Sequence, residues 1–291
     1  MIKFQRNFKM RIQVDDGGDL IEVADPLTCD FYISHRTQAA VNYGNFSIYN
    51  IGLAKRLRIQ KDRWDNKQYR KIEFLAGYAG QYAALFTGNM TLAQSGKREG
   101  QTEILTEIEA FDGGDAMINS YTGGTKRCYG QNTLKSTIIK DLASDFLHCA
   151  IGAIGSFPGK SLRGRSLNGY TQDLLKQETN NHFFIHHQKV YCLNNSETIE
   201  GAIFLISAAT GLLGTPRRQE TLLLVDILFE PRLVIGQQVY LDSKVNPIYN
   251  GYYKVMGLEH RGTISAAEGG KCITTASLWV GSEKFTTVGP A

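Results

Sequence analysis

The sequence predicts a mainly β chain with a small α+β insertion, and three observations carry that reading. Short runs in which apolar and polar residues alternate, bounded by turn residues, fill both ends of the chain. Glycine is abundant at 30 of 291 residues against 6 prolines, which suits tight turns and bulges between short strands better than a disordered chain. Between the two strand-rich ends the period becomes helical over Thr133–Leu147 and Asn168–Thr179. The expected units are therefore residues 1–111 (β), 112–196 (a Gly-rich connector and a small α+β unit) and 197–291 (β).

Taken in order, Phe8–Val14 and Leu20–Val23 alternate on either side of Asp15-Asp16-Gly17-Gly18-Asp19, a hairpin signal. Thr28–Ser34 and Asn45–Ile51 read as strands. Gly52–Trp64 differs: Leu53 and Leu57 sit at helical spacing with Lys55, Arg58 and Lys61 on the other side, so a short amphipathic helix is expected. Its basic cluster, Lys55, Arg56 and Arg58, is either a solvated face or a contact for an acidic partner. Strands resume at Arg70–Tyr78, Ala83–Met90 and Gln101–Phe111, with a charged loop at Ser95–Gly100. In the last of these Glu103, Leu105, Glu107 and Glu109 share a face that is expected to be wet.

Asp112–Tyr129 reads as a connector around a short apolar turn, Ala116–Ile118. A helix follows, with Asn132 or Thr133 as its N-cap. Cys149–Lys160 reads as a loop. A second helix, Asn168–Thr179, leads to a hairpin of His182–Ile185 and Lys189–Leu193 that turns at His186-His187-Gln188. Strands return at Ile203–Ile206, Thr221–Phe229, Gln238–Leu241, Gly251–Arg261 and Lys271–Val280, with a loop at Ala266–Gly270. Within Gly211–Ser243 the Glu230-Pro231 pair must end or bend a strand, because proline lacks a backbone donor. The two β ends echo each other in order. Phe46–Ile51, Lys71–Ala76, Leu85–Met90 and Thr102–Ala110 correspond to Leu223–Phe229, Gln238–Leu241, Tyr252–Gly257 and Cys272–Trp279.

A net charge of +4 with dispersed basic residues allows contact with nucleic acid but is no strong electrostatic footprint for it. Five scattered cysteines without a CxxC pair suit reduced, mostly buried thiols. Met1–Met10 lacks the apolar core of a secretory leader, and the longest uncharged run, Gly201–Pro216, is too short to span a membrane, so a soluble chain is expected.

No catalytic, cofactor-binding or metal-binding residue is assigned. His182, His186, His187 and Cys192, with His148 and Cys149 upstream, are close in sequence, but no HExxH or CxxC completes a zinc site, and a polar hairpin tip is the expectation. Glu22, Asp25, Asp112 and Asp115 fall at turns, where carboxylates serve as caps and turn formers. Gly123-Gly124-Thr125-Lys126 lacks the spacing of a phosphate loop and reads as a flexible connector. Tyr249, Tyr252 and Tyr253 lack a basic groove around them and suit a strand surface.

Four stretches resemble the central baseplate hub proteins of contractile phage tails, a family related to the hub part of type VI secretion spikes. They are Ile72–Met90 (IEFLAGY…ALFTGNM) continuing to Thr106–Gly114 (TEIEAFDGG), the helix Thr133–Leu147, Gly164–Asn194 (GRSLNGYTQDLLKQETNNHFFIHHQKVYCLN), and the Gly211–Ser243 stretch running on to Gly251–Gly262 (GYYKVMGLEHRG). The match follows the expected order over most of the chain, while Met1–Gln38 and the tail after Trp279 agree only in pattern.

The resemblance implies two tail-tube-like β-barrel domains per chain and a homotrimer forming a pseudo-sixfold ring that joins a sixfold tube to a threefold spike. The partners it implies are the tail tube protein or a tube initiator, the central spike, the tape measure and the baseplate wedge proteins, with DNA passing through without sequence-specific contacts and no membrane. Location in the virion baseplate after assembly in the host cytoplasm follows, as does the absence of an enzymatic centre and of a cofactor. A hub of a tailocin or type VI-like machine has the same architecture, and a cell-wall-degrading tail enzyme is the more distant alternative.

Overall fold

The computed structural model describes residues 5–14, 18–37, 41–63, 70–97, 99–117, 124–266, 270–281 and 284–291. Asp15, Asp16 and Gly17 of the first turn, Trp64, Arg98, Ile118 and Gly123 of the connector, and residues 267–269 lie outside them.

The first strand unit is β1 (Arg6–Gln13), β2 (Leu20–Ala24), β3 (Cys29–Arg36), β4 (Tyr43–Tyr49), helix α1 (Leu53–Ile59), β5 (Arg70–Tyr78), β6 (Gln81–Gly96) and β7 (Leu105–Phe111). Alternation decides the inner face: Phe8, Met10 and Ile12 of β1 and Ile72, Phe74 and Ala76 of β5 are fully buried, while Lys9, Arg11, Glu73 and Leu75 between them are half-exposed. An aromatic cluster forms the centre of this core, with Phe74 5.4 Å from Phe31 and 4.7 Å from Phe46, ring centre to ring centre. On β7, Thr106, Ile108 and Ala110 are buried and Glu107 is exposed, as the alternation predicts, but Leu105, on the face expected to be wet, is buried as well.

Helix α1 forms as predicted, but its apolar stripe does not pack. Leu53 and Leu57 are 61% and 65% exposed, and Ile59 is its buried residue. Its charged side chains reach the first hairpin: Lys55 Nζ donates to Glu22 O at 2.7 Å, and Arg58 pairs with Asp19 at 3.2 Å. Those residues therefore belong to the β1–β2 hairpin contact. Exposed pairs of this kind contribute little, so Lys55→Ala and Arg58→Ala should each cost less than about 1 kcal/mol in urea unfolding.

The middle region holds β8 (Gly124–Tyr129), α2 (Lys135–Ser144), β9 (Ala150–Ile154), β10 (Arg165–Tyr170), α3 (Thr171–Thr179), β11 (Phe183–His186) and β12 (Lys189–Cys192). Four expectations are corrected here. The end of the connector is a strand, β8, paired antiparallel with β10. The loop Cys149–Lys160 contains β9, which pairs parallel with β12. Residues 168–170 belong to β10 rather than to the helix, which begins at Thr171. The N-cap of α2 is Leu134 with no side-chain cap, because Thr133 Oγ1 donates to Gly130 O instead. Ile138, Ile139, Leu142, Leu175, Phe183 and Val190 build a separate core for this region.

The second strand unit is β13 (Glu197–Ser207), β14 (Leu212–Gln219), β15 (Leu222–Leu228), β16 (Gln237–Asp242), β17 (Gly251–Ile264), β18 (Cys272–Trp279) and β19 (Thr286–Val288). Its core of Leu223, Val225, Ile227, Val239, Leu241, Val255 and Leu278 also takes in Phe184 and Ala153 from the middle region. Pro216 lies on β14, an edge strand, where its missing donor is harmless.

Both units belong to one sheet of 14 strands, joined where β3 pairs antiparallel with β17 over Cys29–Arg36 and Gly257–Ile264. The path runs open from β14 to β2, so among the described residues no barrel closes within the chain. The echo seen in the sequence is present in the topology. β4-β7-β6-β5 and β15-β18-β17-β16 are neighbours in the same order, each led by a hairpin partner, β3 or β14. The units differ at the far side: β1 runs antiparallel to β5, whereas β13 runs parallel to β16.

Candidate functional site: a buried histidine junction

Four of the six histidines converge where the two strand units and the middle region meet. His35 on β3 and His260 on β17 face the same side of the seam, because His260 lies opposite Ile33 and His35 opposite Leu258. Onto that face the β11–β12 hairpin presses its turn, bringing His186 within 4.8 Å of His35, ring centre to ring centre, and His187 within 4.0 Å of His186. His35, His186 and His260 are 1%, 4% and 1% exposed. The expectation of a polar hairpin tip is thus corrected: the turn is an inserted wedge.

The wedge has an unusual backbone. His187 and Gln188 occupy positive φ, 50° and 56°, the geometry of a two-residue type I′ turn that glycine and asparagine favour. Asp112, just past β7, holds this turn. Its carboxylate accepts the His187 N–H at 2.6 Å and the Gln188 N–H at 2.9 Å. Asn42 adds to the clamp by donating to Ile185 O at 2.7 Å while its own oxygen accepts from Arg36 N. Gly113, at φ 63°, lets the chain pass against Ile185; a Cβ there would stand 2.8 Å from that side chain.

Electrostatics follow burial. Desolvation, with help from His260, lowers the His35 pKa to about 3; desolvation lowers His260 to about 3 and His187 to about 4, and pushes His186 well down. The same desolvation raises Asp112 to about 7, against the two backbone donors that lower it. His35 Nε2 lies 2.9 Å from Leu85 O, which makes that nitrogen the donor and leaves Nδ1 with a free lone pair. His35 Nδ1 and both ring nitrogens of His186 are buried without a hydrogen-bond partner. His260 Nδ1 meets Thr274 Oγ1 at 2.9 Å and His187 Nδ1 meets Thr87 Oγ1 at 3.2 Å.

Of the candidates singled out in sequence, His186, His187 and Asp112 meet here. His182 is half-buried behind the hairpin, Cys192 is buried in the middle core, and exposed His148 pairs with Asp115. Cys149 is close enough to Asp112 to feel its charge, although burial is the larger cause of its pKa of about 12. Glu22 pairs with Lys9 and Arg11, and Asp25 accepts from Asn7. Thr125 and Lys126 lie on β8, where the Thr125 hydroxyl bonds Thr171. Tyr252 packs edge-on against Tyr240 on the strand surface, and Tyr253 donates to Tyr249 O. His35 and His260 were missed. Strand parity could have found them, since each continues an inward-facing set, Phe31-Ile33-His35 and Leu258-His260.

Residues 161–263 match the family model described as baseplate hub gp41. The resemblance is to baseplate hubs. The matched segment runs from just before β10 through most of β17, so it contains the wedge and His260, while His35 and Asp112 come from outside it. Among solved structures, a tail protein from Neisseria meningitidis is similar at a TM-score of 0.63 and 10% identity, covering 96% of this chain and 98% of that one. The 43 kDa tail protein of prophage MuSo2 from Shewanella oneidensis gives 0.57 at 10% identity over 93% and 96%. An Escherichia coli component of the type VI secretion system, itself described as similar to the T4 tail proteins gp27 and gp5, gives 0.55 at 10% identity over 89% and 75%. No curated protein sequence matches the chain. The chain therefore has the fold of phage-tail and type VI spike-related proteins, and its residues 161–263 are similar to a baseplate hub family.

Proposed function

We propose that this chain is a structural hub of a contractile phage tail: a homotrimeric ring that joins the sixfold tube to the threefold spike and guides tape measure and DNA through its lumen. The observation that carries the reading is the repeated strand order within one sheet. Two similar units per chain, multiplied by three chains, present six similar surfaces to a sixfold partner and three to a threefold one. In this reading residues 1–111 and 197–291 are the two tube-like barrel domains, completed between neighbours in the ring, and 112–196 is the inserted domain.

The seam suggests how the ring continues. Within the chain, β3 lies against the part of β17 that β16 leaves uncovered. The equivalent step between chains sets edge strand β14 against the end of β6 in the next chain. There the pairing of β6 with β5 ends at Met90, opposite Arg70, and, among the described residues, only Lys61 bridges to Ala93. Such a head-to-tail contact closes into a ring when the rotation is a third of a turn. Exposed Leu205, Leu228, Val245 and Ile248 give the surface the apolar content an assembling protein needs.

The partners in this reading are the tube protein or its initiator, the spike, the tape measure and the wedge proteins, at a virion baseplate assembled in the host cytoplasm. Among the described residues no helix is long and apolar enough to cross a membrane. A tailocin or type VI-like hub uses the same ring without a genome, and the genes beside this one decide between them. Light scattering on the purified chain should give three times its 32.4 kDa mass, and images should show a ring with a central hole. A strict monomer with hydrolytic activity on cell wall would overturn the reading.

A further inference from the structure

We infer that the histidine junction is a structural metal site in which His35, His186 and Asp112 bind one divalent transition ion, zinc in the first place. Ligand atoms of these three residues lie within 4.8 Å of one another, and all three side chains are buried. Ligands about 2.0–2.2 Å from a tetrahedral ion stand roughly 3.3–3.6 Å apart, so small side-chain rotations complete the geometry.

Two independent features point the same way. First, His35 Nδ1 and both nitrogens of His186 are partnerless at 1% and 4% exposure, and buried polar groups in native proteins are otherwise satisfied. Second, the outer contacts are those of a metal centre. Nε2 of His35 is tied to a backbone carbonyl, Leu85 O, which orients the ring and directs the Nδ1 lone pair inward. Asp112 is oriented by two backbone N–H groups, and each carboxylate oxygen retains a further lone pair for an ion.

Two imidazoles and a carboxylate select Zn²⁺ or another first-row divalent ion over Ca²⁺ and Mg²⁺, which take oxygen ligands. The fourth position falls to water. Burial of all three ligands makes the ion a staple rather than a catalyst. It ties β3 and the end of β7, both in the first strand unit, to the β11–β12 wedge. This inference does not depend on the hub reading.

The test uses the full chain, purified after growth with added zinc. Elemental analysis should find one zinc per chain after gel filtration, and EDTA should lower the melting temperature reversibly. His35→Gln and His186→Gln should each weaken zinc binding at least 100-fold, while His148→Gln, outside the cluster, should leave it unchanged. Where a variant fails to fold, cobalt added to the EDTA-treated wild-type chain gives a second readout: the intense visible bands of a tetrahedral nitrogen/oxygen site. Absence of bound metal together with no melting shift on adding zinc overturns the inference. So does zinc binding that survives both cluster substitutions.

Discussion

Phe229→Ala is expected to destabilise the chain by about 3–5 kcal/mol, the usual cost of truncating a fully buried phenylalanine. The ring belongs to the second strand unit in sequence but fills the core of the first. It is 1% exposed, 5.7 Å from Phe31, 5.9 Å from Tyr78 and 6.2 Å from His260, ring centre to ring centre. Its backbone oxygen also accepts the Tyr78 hydroxyl at 2.8 Å, so the cavity would open beside a buried hydrogen bond across the units. Urea unfolding should show the midpoint falling, with amide exchange rising first along β3 and β17. A loss below 1 kcal/mol would mean that the units hold together without this contact.

Acidification of the metal-free chain should have an effect of similar size. His35 and His260 titrate near 3 in the folded state and His187 near 4, against about 6.5 when unfolded. Between these values the unfolded chain binds more protons, so stability is full above pH 6.5 and falls as the pH drops towards 4. At pH 5 each of the three histidines withdraws about 2 kcal/mol. Asp112, raised to about 7, acts in the opposite direction: it gains its proton in the folded state and returns about 2 kcal/mol. Lys189 faces His187 and reinforces its loss of charge. The net expectation is a loss of about 4 kcal/mol from pH 7 to pH 5, read from urea midpoints in EDTA. Equal midpoints at the two pH values would show that the imidazoles are hydrated rather than enclosed.

The parts of the fold that were legible in sequence are those with local signals. Arg70–Tyr78 alternates cleanly and became β5 with those bounds, and the hairpin around His187 was marked by its polar turn between apolar runs. β8 and β9 carried no such mark. Gly124–Tyr129 is polar on both faces because its partner β10 forms only a two-stranded ribbon, and Ala150–Ile154 pairs in parallel, without a hairpin turn to announce it. Helix α1 misled in another way: Leu53 and Leu57 have the spacing of a packed face yet remain exposed. The histidine junction needed the seam between β3 and β17, and no local pattern links residues so far apart.

That seam also constrains how the chain can be born. The hydroxyls of Thr28 and Ser265, which meet at 2.6 Å beside it, are separated by 237 positions. At a synthesis rate of about 5–20 residues per second, β3 waits roughly 10–50 s for β17 to leave the ribosome. During that interval β3 has β4 on one side and an unpaired backbone on the other, an exposed edge that invites pairing with a second nascent chain. Arg36, at the end of that strand, is exposed and charged, and places a positive group where a mispaired strand would begin to align.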